Sequence, residues 1–156
     1  YINELSFSKA VQYLESAMRI HRMQPEYNLA MGECLLELGN IKDAIIHFSN
    51  VVKAKPRGIA GWEALIRCLY KEDFLTEAIE QVNNARQIAG DKPLFLFYQS
   101  AVLFAMGKSK EALLVLQCAM ERAPRLLKKF IELNPTILQN QQVVDLIAYY
   151  KRKRSI

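Results

Sequence analysis

Apolar residues along this chain recur at three-and-four spacing rather than alternately, the pattern of helices with one buried stripe. Only 6 Gly and 5 Pro interrupt it. Setting Pro56 against Pro124 with Gly90 midway gives two steps of 34 residues, and Ala44, Ala78 and Ala112 fall into the same register. Three copies follow, 25–58, 59–92 and 93–126. Each predicts a helix pair. The first helix ends near Leu38-Gly39, Glu72-Asp73 or Met106-Gly107, where glycine suits a left-handed C-cap and Asp73 is the poorer substitute. The second starts after Asn40, Thr76 or Ser109, each offering an N-capping oxygen, and is closed by Pro56, Gly90 or Pro124.

The alternation of sizes within each copy resembles the tetratricopeptide repeat (TPR), which asks for a large residue at position 4, a small one at 8, and large, Gly, Ala, aromatic, Ala and Pro at 11, 15, 20, 24, 27 and 32. The first copy supplies Gly32, Leu35, Gly39, Ala44, Phe48, Val51 and Pro56. The second supplies Trp62, Leu69, Ala78, Val82 and Ala85, and the third Ser100, Leu103, Gly107, Ala112, Leu116, Ala119 and Pro124. Ile66, Asp73 and Gly90 depart from it. The physical demand is size: small residues at 8 and 20 let paired helices approach while large ones fill the gap between repeats. The resemblance implies an all-α fold, a TPR-type α-solenoid coiled as a right-handed superhelix of antiparallel helix pairs, with Trp62, Ala78 and Ala112 buried.

The whole chain reads as a single domain of this kind. Residues 1–24 fit the frame as a truncated repeat, with Tyr1 at position 11, Phe7 at 17, Ala10 at 20, Leu14 at 24 and Ala17 at 27. Apolar residues left uncovered there predict a homo-oligomer through this N-terminal edge. Beyond Pro124, residues 126–133 and Gln141 to Tyr150 read as capping helices of a degenerate repeat, 127–156.

Composition narrows the function. With 51% apolar and 24% charged residues and no apolar run near the roughly 20 residues of a membrane span, the chain reads as globular, and the expected setting is cytoplasmic. Lys and Arg number 21 against 16 acids, and Lys151-Arg152-Lys153-Arg154 accounts for most of the excess. Cys34, Cys68 and Cys118 are odd in number and widely spaced, which fits reduced core thiols and excludes a metal motif. Cys34 and Cys68 share position 10, but helix axes about 10 Å apart do not bring Cα atoms within the roughly 7 Å of a disulfide. His21 and His47, both on second helices, have no nucleophile and acid beside them in any catalytic pattern. Gly58-Ile59-Ala60-Gly61 lacks the glycines and Lys of a phosphate loop and reads as an inter-repeat turn. Neither an enzyme nor a bound cofactor or metal is expected.

What remains is a protein-protein interaction scaffold, because stacked helix pairs present their first helices on a concave face. The family lines that groove with positions 2, 5, 9, 12 and 13: Glu26, Leu29, Glu33, Leu36 and Glu37, then Ala60, Glu63, Arg67, Tyr70 and Lys71, then Leu94, Phe97, Ala101, Phe104 and Ala105. The groove residues expected to meet a partner protein or peptide are Leu29, Glu33, Leu36, Glu63, Arg67, Tyr70, Phe97, Ala101 and Phe104. Arg67 and Tyr70 lead, since a charged residue is rarely buried unpaired; Phe97 and Phe104 could instead receive Phe130, Ile131 or the last helix. The TPR subclass that clamps a chaperone's C-terminal carboxylate needs Lys, Arg and Asn where this chain has Leu29, Glu33, Ala64, Leu94 and Tyr98, so that ligand is not expected. The second reading is a nucleic-acid-associated protein using the basic tail through phosphate contacts.

Overall fold

The computed structural model describes the backbone of residues 2–21 and 24–155 and the side chains of residues 6–16 and 24–154. Tyr1 and the side chains of Ala17 and His21 lie outside these. The described residues form helices and turns with no strand, divided into two compact units, Tyr1–Glu72 and Asp73–Ile156. The first holds α1 (Ile2–His21), α2 (Pro25–Glu37), α3 (Ile41–Ala54) and α4 (Ile59–Lys71). The second holds α5 (Leu75–Ala89), α6 (Pro93–Ala105), α7 (Ser109–Arg122), α8 (Leu127–Leu133) and α9 (Gln141–Ser155), with 3-10 turns at Pro124–Leu126 and Pro135–Gln139. In the first unit α1 to α4 pack in chain order and in the second α5 to α7 do, with α2 on α3 and α6 on α7 as the most extensive antiparallel pairs, while α8 packs on α6 and α9 on α7.

Pro25 and Pro93 open α2 and α6, where a missing N–H costs nothing and φ is preset. The same helices close on left-handed glycines, Gly39 at φ 83° and Gly107 at φ 80°. Around them the Asn40 N–H donates to the Leu35 carbonyl (2.8 Å) and Gly39 to Leu36 (3.0 Å), repeated as Lys108 to Leu103 (2.9 Å) and Gly107 to Phe104 (3.0 Å). Asp73 takes the same conformation, φ 64°, without being glycine.

The expected side-chain N-caps are not made. Asn40 precedes α3 but its amide donates to Asp43 (2.8 Å), while Thr76 and Ser109 lie inside α5 and α7, whose caps are Phe74 and Lys108. The tight turn holds these cap residues near ψ 63° to 76°, and none of their side chains accepts from the helix. Two further boundaries differ. Only Gly58 stays outside α4, so Ile59 to Gly61 form its first turn. α1 runs unbroken through residues 2–6, where the repeat frame puts a turn and Leu5 stands at position 15.

Packing follows the size pattern. Trp62 is 2% exposed and Ala78, Ala112, Ala44 and Val82 are 0% exposed. In the first unit a Cβ on Gly32 would stand 2.6 Å from Phe48 Cε1, and one on Gly61 2.9 Å from Val51 Cγ1, so both helix contacts close only over glycine. The Trp62 indole N–H donates to the Pro56 carbonyl (2.8 Å). In the second unit, buried Ser100 at position 8 gives its hydroxyl to the Ala112 carbonyl (2.8 Å), letting α6 and α7 touch without leaving a polar atom unsatisfied. α6 is buried nearly all round, from Leu94 to Leu103 with only Gln99 half-exposed, as expected of a helix apolar on every face. The α5–α6 loop is pinned by Asp91, which accepts from Arg86 Nε (2.6 Å) and Arg122 Nη1 (3.4 Å) while its carbonyl takes Arg122 Nη2 (2.6 Å).

Gly32→Ala tests the α2–α3 contact. Phe48 is 1% exposed and has no room to swing, so overpacking of about 1–3 kcal/mol should outweigh the roughly 1 kcal/mol of helix propensity that alanine gains. Denaturant unfolding should therefore show a net loss on the order of 1 kcal/mol.

Candidate functional site

Residues four apart on a helix share a face, and α2 and α4, the first helices of successive copies, use that spacing alike. Ala30, Cys34 and Ala64, Cys68 occupy positions 6 and 10, while Glu33, Glu37 and Arg67, Lys71 occupy 9 and 13. All eight line one cavity of about 370 Å³ in the first unit, with Phe7 of α1 and Phe48 of α3 also contributing to its wall. The small residues make the lining apolar. The charges stand at its rim, all four exposed, and none is hydrogen-bonded or ion-paired to another described residue. One rim is therefore acidic and the other basic.

Of the expected groove residues, Glu33, Leu36 and Arg67 line this cavity. Leu29, Glu63 and Tyr70 are half-buried and do not. The third-copy residues belong to the second unit, where Phe97 is 0% and Ala101 4% exposed and Phe104 is half-buried. The Phe97 and Phe104 rings each lie 6.3 Å from Phe130 of α8, so the capping helix takes the apolar face of α6. Ala30, Cys34, Ala64 and Cys68 were missed among the expected contacts; their signal was a small residue at positions 6 and 10 in two successive copies.

Burial pushes the Cys68 thiol up to about 11, and burial with the nearby Glu33 and Glu37 raises that of Cys34, so both stay protonated at neutral pH. Cys118 is exposed on α7 and is no core thiol. Among the described residues no three His, Cys, Asp or Glu side chains gather as a metal site requires. His47 is structural: its Nδ1 lies 3.0 Å from Oδ1 of Asn28, itself 2% exposed, and Asn50 Nδ2 reaches the same oxygen at 3.4 Å. The basic tail is exposed on α9, with Lys153 3.8 Å from Glu121 and over the rings of Tyr149 and Tyr150 at 6.0 and 5.7 Å. No described helix is long and apolar enough to cross a membrane.

No protein-family model matches the chain. It is 24% identical over 143 residues, 91% of its length, to anaphase-promoting complex subunit 7 of Homo sapiens, and to that of Mus musculus to the same extent. It spans 25% of the length of these relatives. Among solved structures, MamA matches with TM-score 0.69 at 15% identity, covering 96% of this chain and 89% of that one. A thermophilic TPR protein of Thermus thermophilus matches with TM-score 0.57 at 17% identity, over 96% and 91%. The chain has the fold of a tetratricopeptide-repeat protein. In TPR terms, the cavity lies between the first helices of two successive repeats.

His47 gives the chain a pH dependence. Burial lowers its pKa from 6.5, the more so than nearby Asp43 raises it, so the folded state favours the neutral ring. A depressed folded pKa means the contribution is fully present above about pH 6.5 and is lost as pH falls from there toward the folded value. Melting temperature should drop between pH 7.5 and 5.5, and by less in His47→Gln.

Proposed function

We propose that this TPR protein is a non-catalytic interaction scaffold that receives a short segment of a partner protein in the groove between α2 and α4. The observation that carries this is an open cavity of about 370 Å³ lined by small apolar residues, rimmed by charges that no other described residue satisfies. Cavities of this order accept a few side chains, and convergent polar groups beside an apolar lining give orientation. The relatives' own name, a subunit of the anaphase-promoting complex, supports a role within an assembly.

Filling the cavity tests the reading. Ala64 is half-buried in the groove wall, and Ala64→Trp places an indole where the partner's side chains would enter. Peptides selected from an array by the full chain should lose about tenfold or more in affinity for this variant while its helical circular dichroism and melting temperature hold. Selected peptides that bind the variant equally well would place recognition elsewhere.

A further inference from the structure

We propose, resting on the groove reading above, that the occupant is a segment with an apolar ridge, one basic flank and one acidic flank, and that the rims thereby fix the direction in which it lies. Glu33 and Glu37 on α2 and Arg67 and Lys71 on α4 hold equivalent positions 34 residues apart, so two helices bring charges of opposite sign to the same apolar cavity. A partner with lysines on both flanks meets Glu33 and Glu37 well but is repelled by Arg67 and Lys71. A partner with carboxylates on both flanks meets the reverse. Only the mixed segment is complementary to both.

Its direction follows from geometry. Turning a segment end for end about the normal to the groove floor exchanges its flanks, so a mixed segment satisfies both rims one way round and neither the other way. Each rim pair is separated by four helical residues, about 6 Å along the axis. That rise matches charges four apart on a bound helix, which can carry a ridge and two flanks, whereas an extended segment has only two faces.

The test uses the full chain and synthetic helical peptides sharing a leucine ridge, with charges four apart on flanks that are mixed, all Lys, all Glu or all Gln. Exposed ion pairs are each worth a factor of about two to five, so the mixed peptide should bind about tenfold tighter than the all-Lys or all-Glu peptide. The gap should narrow as salt rises. Arg67→Glu with Lys71→Glu makes both rims acidic and should move the preference to the all-Lys peptide. A nitroxide on the N-terminus of the mixed peptide should broaden amide signals at one end of α4, and exchanging the flanks should move the broadening to the other end.

Equal affinities across the flank series, with binding still abolished by Ala64→Trp, would overturn the charge assignment and leave the groove standing. Binding that survives Ala64→Trp, or no binding even by the Gln-flanked peptide, would overturn the groove itself. Broadening at the same end for both flank orders would overturn the directional claim.

Discussion

The structure depends on how closely two helices can approach at one position of the repeat. Position 8 carries Gly32 in α2 and Ser100 in α6, and each meets its partner helix with nothing to spare. At Gly32 the space that a Cβ would need is taken by the Phe48 ring. At Ser100 the hydroxyl occupies it, and burial of that oxygen is tolerable because the Ala112 carbonyl accepts its proton. Two chemistries thus meet one steric demand, and residue size rather than polarity is what recurs. Ile66, the large residue at this position in α4, is itself 0% exposed.

From that approach follows what is left open. Once positions 8, 20 and 24 are spent on the helix pair, the face carrying positions 5, 6, 9, 10 and 13 needs either water or another helix. In α2 and α4 this face has charged residues at its edges and small ones between, so it can remain a groove at little cost. In α6 the same positions hold Phe97, Tyr98, Ala101, Val102 and Ala105, and leaving such area in water would cost about 25 cal/mol for each Å². Phe130 of α8 packs against Phe97 on this face and against Phe104 beside it. One frame therefore yields a groove in one unit and a covered helix in the other, and composition at five positions makes the difference.

Much of this is legible without coordinates because packing sizes repeat at a fixed step. The helices α2 to α7 lie within a residue or two of their expected places, and the buried residues at positions 20 and 24 follow directly. The helix starts were misjudged because a capping-competent side chain, such as Thr76 or Ser109, says nothing of whether the backbone leaves the helix there. The Asp91 clasp went unseen for another reason: Arg86 of α5 and Arg122 of α7 reach Asp91 while Gln99 of α6 accepts from Arg86, and no periodicity links the three. At the groove, Glu33, Leu36 and Arg67 were reachable from the repeat positions, whereas the lining needed the coordinates, since Cys34 and Cys68 look like ordinary core residues until the open space beside them is seen.

The treatment of charge separates the two kinds of surface. Where a loop must be held, the chain pairs its charges closely, with Arg86 and Arg122 converging on one carboxylate. Along the groove it does the reverse. Glu33 and Glu37 are like charges at i and i+4, and so are Arg67 and Lys71; pairs of this kind destabilise a helix by about 0.2–0.5 kcal/mol each rather than supporting it. Exchanging Glu37 with Lys71 in thought would give each helix a favourable i, i+4 pair, although Lys71 in the last turn of α4 also suits the helix dipole. The like-signed pairs on α2 and α4, opposite to one another in charge, are the arrangement that the proposed mixed-charge partner would read.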